Sequence, residues 1–511
     1  MTDTSPDASP FTDEPDVNYE TDTTADQSGS DALPPGAGRL IGLLVSAAFV
    51  VILNETIMSV AISRLMDQFA VSAATAQWLS TGFMLTMAVV IPFTGWLLNS
   101  LRLRTVFILA MSTFTLGTAI AALAPVFGVL VAGRVVQAVG TAIMMPLLMT
   151  TVLNVVPAAR RGRVMGLVSI VIAVAPAAGP TVGGVILEHL SWRWMFGVVL
   201  PIALIALGAG VLWVRNVTEP RPVPLDALSG VFSAIGFAGL IYGLSSIGEA
   251  AGDTAPVSPW IPLTVGVLAL AVFTRRQLRL RDAALLDLRV LARPTYTIAL
   301  ATMLLAMLSL FGTIILLPMY FQQVLGWSTQ QAGLALLPGG LVMAVLGYAV
   351  GNVYDRVGPR PLLVPGSVLG AAGMWGYTFL NEDSSAALVI ALHITLTTGL
   401  SMMFSPLMTT ALSALPRSLY AHGSALMSTL QQVAGAAGTA LFITLLTVGA
   451  ATALGDGAGV GGTGEGGAPA AEAVRSATMS GVHLAMLSGA CLFTLTLVAV
   501  WFVRRPQGEP S

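Results

Sequence analysis

Glu55 is the residue from which chemistry follows most directly. It stands in Leu53-Asn54-Glu55-Thr56-Ile57, inside an apolar run from about Arg39 to Ile62. No other acid lies well inside an apolar run of this chain. A carboxylate at membrane depth costs roughly 2.5–3.5 kcal/mol on insertion scales, so it is rarely idle. Glu55, Ser59 and Ser63 recur at i, i+4 and i+8 and share one helix face. That polar face should look at a cavity or a neighbouring helix. Desolvation favours the neutral form of a buried acid, so such a carboxyl can load a proton on one side and release it on the other. A structural hydrogen bond, an ion pair or a seat for a cationic substrate would use the same side chain.

The one base inside an apolar run is Arg134. It heads a stripe of Arg134, Gln137, Thr141 and Met145 at helical spacing. A depth estimate relates it to Glu55. At 1.5 Å per residue, Glu55 lies roughly 22 Å from the inner surface and Arg134 roughly 20 Å. Arginine cannot deprotonate, so it would favour the ionised acid and oppose desolvation. The two form either a permanent ion pair or a pair that breaks on protonation; depth alone does not establish contact.

A third group is built of small residues. Gly166, Ala175, Pro176, Gly179, Pro180, Gly183 and Gly184 lie along one run, with Ala175, Gly179 and Gly183 spaced by four. Such a ridge allows close helix approach, and the prolines remove helix hydrogen bonds. It suits a pivot or a seal; plain tight packing would need the same residues. Gly333, Gly340, Gly347 and Gly351 offer a partner groove. The fourth group is Asp355-Arg356-Val357-Gly358-Pro359-Arg360, between two apolar runs. Asp355 can meet a helix N-terminus or nearby arginines and latch one conformation. Asp226 is expected to cap the helix that follows it. Met144, Met145, Met149, Met402 and Met403 can soften a pocket or simply fill core; Gln431 and Gln432 are uncharged hydrogen-bonders.

These residues need membrane helices to position them. The chain has 511 residues, 55% hydrophobic and 9% charged, with mean hydropathy +0.83. Soluble domains carry about 25% charged residues. The apolar runs are about 20 residues long and do not alternate, so they are helices. Fourteen follow one another, the first at about 40–62 and the last at about 483–503. Every base is arginine, which with abundant Ala and Gly suggests a GC-rich bacterial genome. With the N-terminus inside, only Arg64, Arg193 and Arg475 fall in outer loops; apart from the buried Arg134, all the rest of the 23 bases fall inside. That bias places both termini in the cytoplasm. A net charge of −2 attracts no nucleic acid. Cys491 has no partner for an internal disulfide, and the four histidines show no metal spacing. A GxxxxGK[ST] phosphate loop is absent, so this chain does not itself bind ATP that way.

The expected organisation is a disordered acidic tail over 1–38, a six-helix half over 39–214, an inserted helix pair and linker over 215–293, and a second six-helix half over 294–505. A flexible Gly-rich outer loop is expected over 450–480, and a short tail over 506–511. The loops Gly95 to Arg104 and Gly351 to Arg360 occupy equivalent places in the halves. Two related halves around a midplane site are the plan of many secondary transporters.

Taken together, these motifs resemble the fourteen-span drug:proton antiporter family of the major facilitator superfamily, over nearly the whole chain after residue 38. Gly351 to Arg360 is similar to the superfamily's loop motif Gly-x-x-x-Asp-Arg-x-Gly-x-Arg. Arg134-Val-Val-Gln137-Ala-Val-Gly140 resembles the span-four motif, whose arginine the resemblance associates with proton coupling. Gly166, Gly179, Pro180, Gly183 and Gly184 resemble the span-five antiporter motif, with Ala175 in place of a glycine. Trp192-Arg193-Trp194-Met195-Phe196 is similar to an outer-loop signature. Two departures stand out. The usual Leu-Asp-x-Thr reads Leu53-Asn54-Glu55-Thr56, as in some lincomycin-type exporters, which moves the carboxylate about 100° around the helix. The first loop has Asn99 for Asp and Arg102 for Gly, which leaves the latch mainly to Asp355.

The expectation is therefore an all-α polytopic protein of the bacterial cell membrane with fourteen helices arranged 6+2+6. It would export amphipathic small molecules such as antibiotics in exchange for protons, as a monomer, with no cofactor and no enzymatic activity. Transport of an endogenous metabolite on the same fold, or a non-transporting sensor or scaffold, are the alternatives.

Overall fold

The computed structural model describes residues 34, 36–214, 216, 220, 224–250, 257–457 and 468–504. The acidic tail, up to residue 33, and the last seven residues lie outside the described residues. In lipid every backbone polar group must be satisfied within its own element, and apolar runs of this length do so as helices. The first half comprises α1 (Ala37–Phe69), α2 (Ala73–Ser100), α3 (Leu103–Ala122), α4 (Phe127–Val155), α5 (Arg161–His189) and α6 (Trp194–Trp213). The inserted pair is α7 (Ala227–Ala250) and α8 (Trp260–Leu280). The second half comprises α9 (Pro294–Met319), α10 (Thr329–Val357), α11 (Arg360–Tyr377), α12 (Ala386–Ser413), α13 (Tyr420–Gly457) and α14 (Ala468–Val500).

Thirteen of these helices are long and apolar enough to cross a membrane. The other is α11, with 18 residues. Its glycines dilute its hydropathy because they serve packing: a Cβ on Gly366 or Gly373 would fall within 3.0 Å of α12 backbone. Helices overrun the apolar cores from which they are recognised. The stretch expected as a loop over 450–480 is helical up to Gly457 and again from Ala468. Alanine, glycine and serine there carry little hydropathy but do not prevent helix.

Helix starts follow local chemistry. Ser72, Ser328 and Ser385 accept from backbone N–H groups of the helices they precede. Ser328 and Gln331 form a reciprocal capping box. At the end of α10, Gly358 takes φ +78°, a conformation that disfavours any side chain.

The end of α14 and the α10–α11 loop lie at one end of the bundle, the terminal end, since the Arg360 guanidinium donates to the carbonyls of Trp501 and Val503 at 3.3 Å. Two seams join the halves: α5 against α10, and α2 against α13. Helix α7 packs against both α2 and α13 and so lies over the second seam. It is fastened along α2 by Trp78 stacking on Tyr242 and by Gly230 under the Phe93 ring.

Candidate functional site

Arg134 is 2% exposed and lies at the level of Asn54, not beside Glu55. Its Nη1 donates to Asn54 Oδ1 at 3.2 Å and to Gln137 Oε1 at 2.6 Å. The Phe83 ring of α2 covers the guanidinium at 4.1 Å. Gln137 passes the chain on, donating from Nε2 to Thr118 Oγ1 at 2.7 Å, and Thr118 donates to the Phe114 carbonyl. Gln137 can reach Thr118 because α3 and α4 touch through glycines. A Cβ on Gly117 would fall 2.3 Å from the Gln137 nitrogen. The arginine is thus oriented by two uncharged side chains and an aromatic face, and its Nε has no partner among the described residues.

Glu55 is half-buried on α1. Among the described residues it makes no hydrogen bond and no ion pair within 4.0 Å, while Arg134 is the charge whose field reaches it. The depth match holds, but helix rotation gives the direct contact to Asn54, about 100° away. The side chains of Ser59 and Ser63 lie outside the described residues. Thr141 donates to the Gln137 carbonyl of its own helix, and Met145 is half-buried. Met144, Met149 and Met403 are core residues. Gln432 of α13 reaches Met87 of α2 at 3.8 Å, one turn from Phe83. That contact links the second half to the surroundings of Arg134.

Helix α5 carries its small residues on two opposite faces. From Gly166 to Ala175 is nine residues, about half a turn after whole turns are removed. The Ala175–Gly179–Gly183 face meets α1. Thr56 donates to the Ala175 carbonyl at 3.3 Å, and a Cβ on Gly179 would fall 2.1 Å from Thr56 Oγ1. Gly183 lies against the Ile57 carbonyl. The groove on α10 is therefore not the partner of this ridge. Gly347 and Gly351 instead face Gly166 and Gly162, and Gly333 meets nothing within 4 Å. Gly184 also faces open space, and the Pro180 side chain lies outside the described residues.

At the terminal end the Asp355 carboxylate accepts from the backbone N–H of Gly162 at 2.7 Å and of Arg163 at 2.9 Å. These are among the unpaired first-turn amides of α5, where a negative charge is favoured. Arg163 donates to Asn352 at 2.5 Å. Arg356 is exposed and Gly358 makes the turn. Arg161 to Ser413 and Thr150 to Ser424 also join the halves near this end.

The inserted pair has its own anchor. Asp226 accepts from Ser229 in the first turn of α7 and from both Nε and Nη2 of Arg276 on α8, at 2.6 and 2.9 Å. The Arg276 hydrogen bonds hold the Asp226 carboxyl down at about 2. Buried Gln277 donates to Ser229 and accepts from the Leu286 amide of the linker.

Thirteen membrane-length helices and a buried arginine held among them by uncharged side chains define a polytopic membrane protein. The profile of the Major Facilitator Superfamily matches residues 44–439, and the chain belongs to that family. It is 37% identical over 468 residues to a lincomycin resistance protein of Listeria monocytogenes, covering 92% of this chain and 97% of the relative. It is 33% identical over 432 residues to a multidrug resistance protein B homolog of Mycobacterium tuberculosis, covering 82% and 78%. The fold is similar to a crystal structure of the human organic anion transporter TETRAN, with TM-score 0.63 at 13% identity, covering 91% of this chain and 100% of that one. The protein is a multi-pass membrane transporter related to drug efflux proteins, not an enzyme.

Phe83, Thr118, Thr56 and Gly162 join the site only in three dimensions. Thr56 and Gly162 stand within or beside quoted motifs, so their positions were visible without their contacts. Phe83 and Thr118 carry no sequence signal.

Proposed function

We propose that this transporter exports amphipathic small molecules in exchange for protons, by alternating access. The observation that carries the reading is Glu55: an acid inside an apolar helix with no ion pair among the described residues, one position from the asparagine that holds Arg134. A carboxyl bound into a permanent ion pair would have no reason to exchange its proton; this one is left open to do so. The fixed charge of Arg134 attracts the ionised acid, and protonation removes that attraction. Proton arrival and substrate departure are coupled through this change. The arginine bias supports cytoplasmic termini. The terminal end, where hydrogen bonds join the halves, is then the closed cytoplasmic face. One elementary charge crossing gains about 2.3 kcal/mol per 100 mV, enough for a concentration ratio of several tens. The names of the relatives support a drug-like substrate class.

The test is drug-driven proton movement in reconstituted vesicles, comparing wild type with Glu55→Gln. Loss of proton movement with retained drug binding is expected. Unchanged coupling in the variant would overturn the assignment.

A further inference from the structure

The two seams are built on one plan with different chemistry. On α10, Gly351 lets the first turn of α5 approach, and Asp355, four residues on, reaches its amides. On α2, Gly95 lets the first turn of α13 approach, and Asn99, four residues on, reaches His422. Asn99 Nδ2 lies 2.9 Å from His422 Nε2. A Cβ on Gly95 would fall 2.9 Å from His422 Nδ1, so the ring fills the space the glycine leaves. His422 is 8% exposed, and among the described residues its Nδ1 has no hydrogen-bond partner. The neighbouring Ser100 hydroxyl is also without one.

We infer that Asn99 and His422 form a second latch between the halves, one that proton uptake by the imidazole releases. In the closed seam the neutral ring receives the asparagine N–H. A proton on Nε2 would set two donors face to face. Rotating the Asn99 amide would restore one hydrogen bond but leave a full charge out of water, on a ring whose Nδ1–H already lacks an acceptor. Opening the seam supplies water to both nitrogens. The charged and titratable groups around His422 do not replace that water. Asp287 and Arg289 are the charges whose fields reach it, and they are bound to each other at 2.7 Å. Tyr296 of α9 donates to the Gly423 carbonyl, and Tyr420 lies under Arg161 of α5. From α4, Thr150 is engaged by Ser424. In the Asp355 latch the titrating group is the carboxylate, whereas in the Asn99 latch it is the imidazole, so the two seams lose their hydrogen bonds through different groups. This goes beyond the antiport reading and rests only on its alternating-access part.

The experiment measures seam opening directly, not transport. Spin labels are placed by Arg102→Cys and Ser418→Cys in full-length protein carrying Cys491→Ser and Glu55→Gln, in lipid nanodiscs. The Glu55→Gln background removes the proposed coupling acid. Label distances between pH 7.5 and 5.5 give the open-to-closed ratio. One proton with an ordinary histidine range near 6.5 raises that ratio by about tenfold. His422→Gln should abolish the rise. Asn99→Asp should also suppress it, because a carboxylate accepts from the imidazolium in the closed seam. A full tenfold rise in His422→Gln overturns the inference. Should His422→Gln fail to fold, Asn99→Asp decides alone, and an unchanged rise there overturns it.

Discussion

Replacing Asp355 by Asn tests whether the α5–α10 seam is held by charge. The carboxylate accepts two backbone N–H groups in the first turn of α5, at 2.7 and 2.9 Å. A hydrogen bond to a charged group contributes about 1.5–3 kcal/mol, and a negative charge at a helix N-terminus about 0.3–1 kcal/mol. The Gly162 bond is half-buried and should keep the lower part of that range. The Arg163 bond is at the surface, where water replaces most of it. Asparagine preserves size and one acceptor oxygen but brings an NH2 against amide donors. The net loss should be about 2 kcal/mol, which shifts the equilibrium about 30-fold towards the open seam. Spin labels at Ala159→Cys and Val357→Cys in a Cys491→Ser background would read that shift. Arg356→Gln is the control, because Arg356 is exposed one residue away and should move the ratio little. A shift below threefold in Asp355→Asn, or an equal shift in Arg356→Gln, would refute the reasoning.

Gly179→Ala should destabilise the protein by about 1–3 kcal/mol, because the new Cβ meets the β-branched Thr56 at 2.1 Å and its carbonyl carbon at 3.0 Å. Gly184→Ala should be near neutral by comparison, and thermal melting in detergent separates the two. Gln137→Leu should cost about 2–3 kcal/mol, since Arg134 loses its 2.6 Å acceptor while remaining buried; Thr141→Val, whose hydroxyl bonds only its own helix, should cost less. Asp226 is depressed to about 2 by Arg276. Its contribution is complete above the ordinary aspartate value near 3.9 and is lost as pH falls through about 2. Wild type and Asp226→Asn should therefore keep a constant stability difference from pH 8 to 5, and a difference that shrinks within that window would contradict the pairing.

Helix existence was legible because apolar length is a one-dimensional property. Helix α11 shows the limit: its glycines lower hydropathy for the same reason that they let it touch α12. The depth of Glu55 and Arg134 was also legible, since rise per residue is constant. Rotation was not, and a single step around α1 gave the arginine to Asn54 instead of Glu55. The two faces of α5 were open to the same arithmetic, because nine residues separate Gly166 from Ala175 and must reverse the face. The groove on α10 offered as partner to the Ala175–Gly183 ridge meets the opposite, Gly162–Gly166 face instead. His422 could not be found at all, because its partner lies 323 positions away and pairs by fold symmetry.

The double-faced α5 has a mechanical consequence. Its Gly179 and Gly183 contacts bind it to α1 within one half, at the level of Asn54, Glu55 and Thr56. Its Gly162 and Gly166 contacts bind it to α10 across the seam. Seventeen residues separate Gly162 from Gly179, about 25 Å of helix. The first contact sits inside a packed half and resists opening, because separating Thr56 from Gly179 would leave an unfilled gap. The second is held by hydrogen bonds at the end of the bundle, where water can replace them. Alternating access would then leave α1 and α5 together as one body and part α5 from α10. A charge change at Glu55 would act on the Asp355 latch through the tilt of that body, with no side-chain relay between them. This fits the residues around Glu55 that touch α5, Thr56 and Ile57: both transmit position, and neither adds a charge to the site.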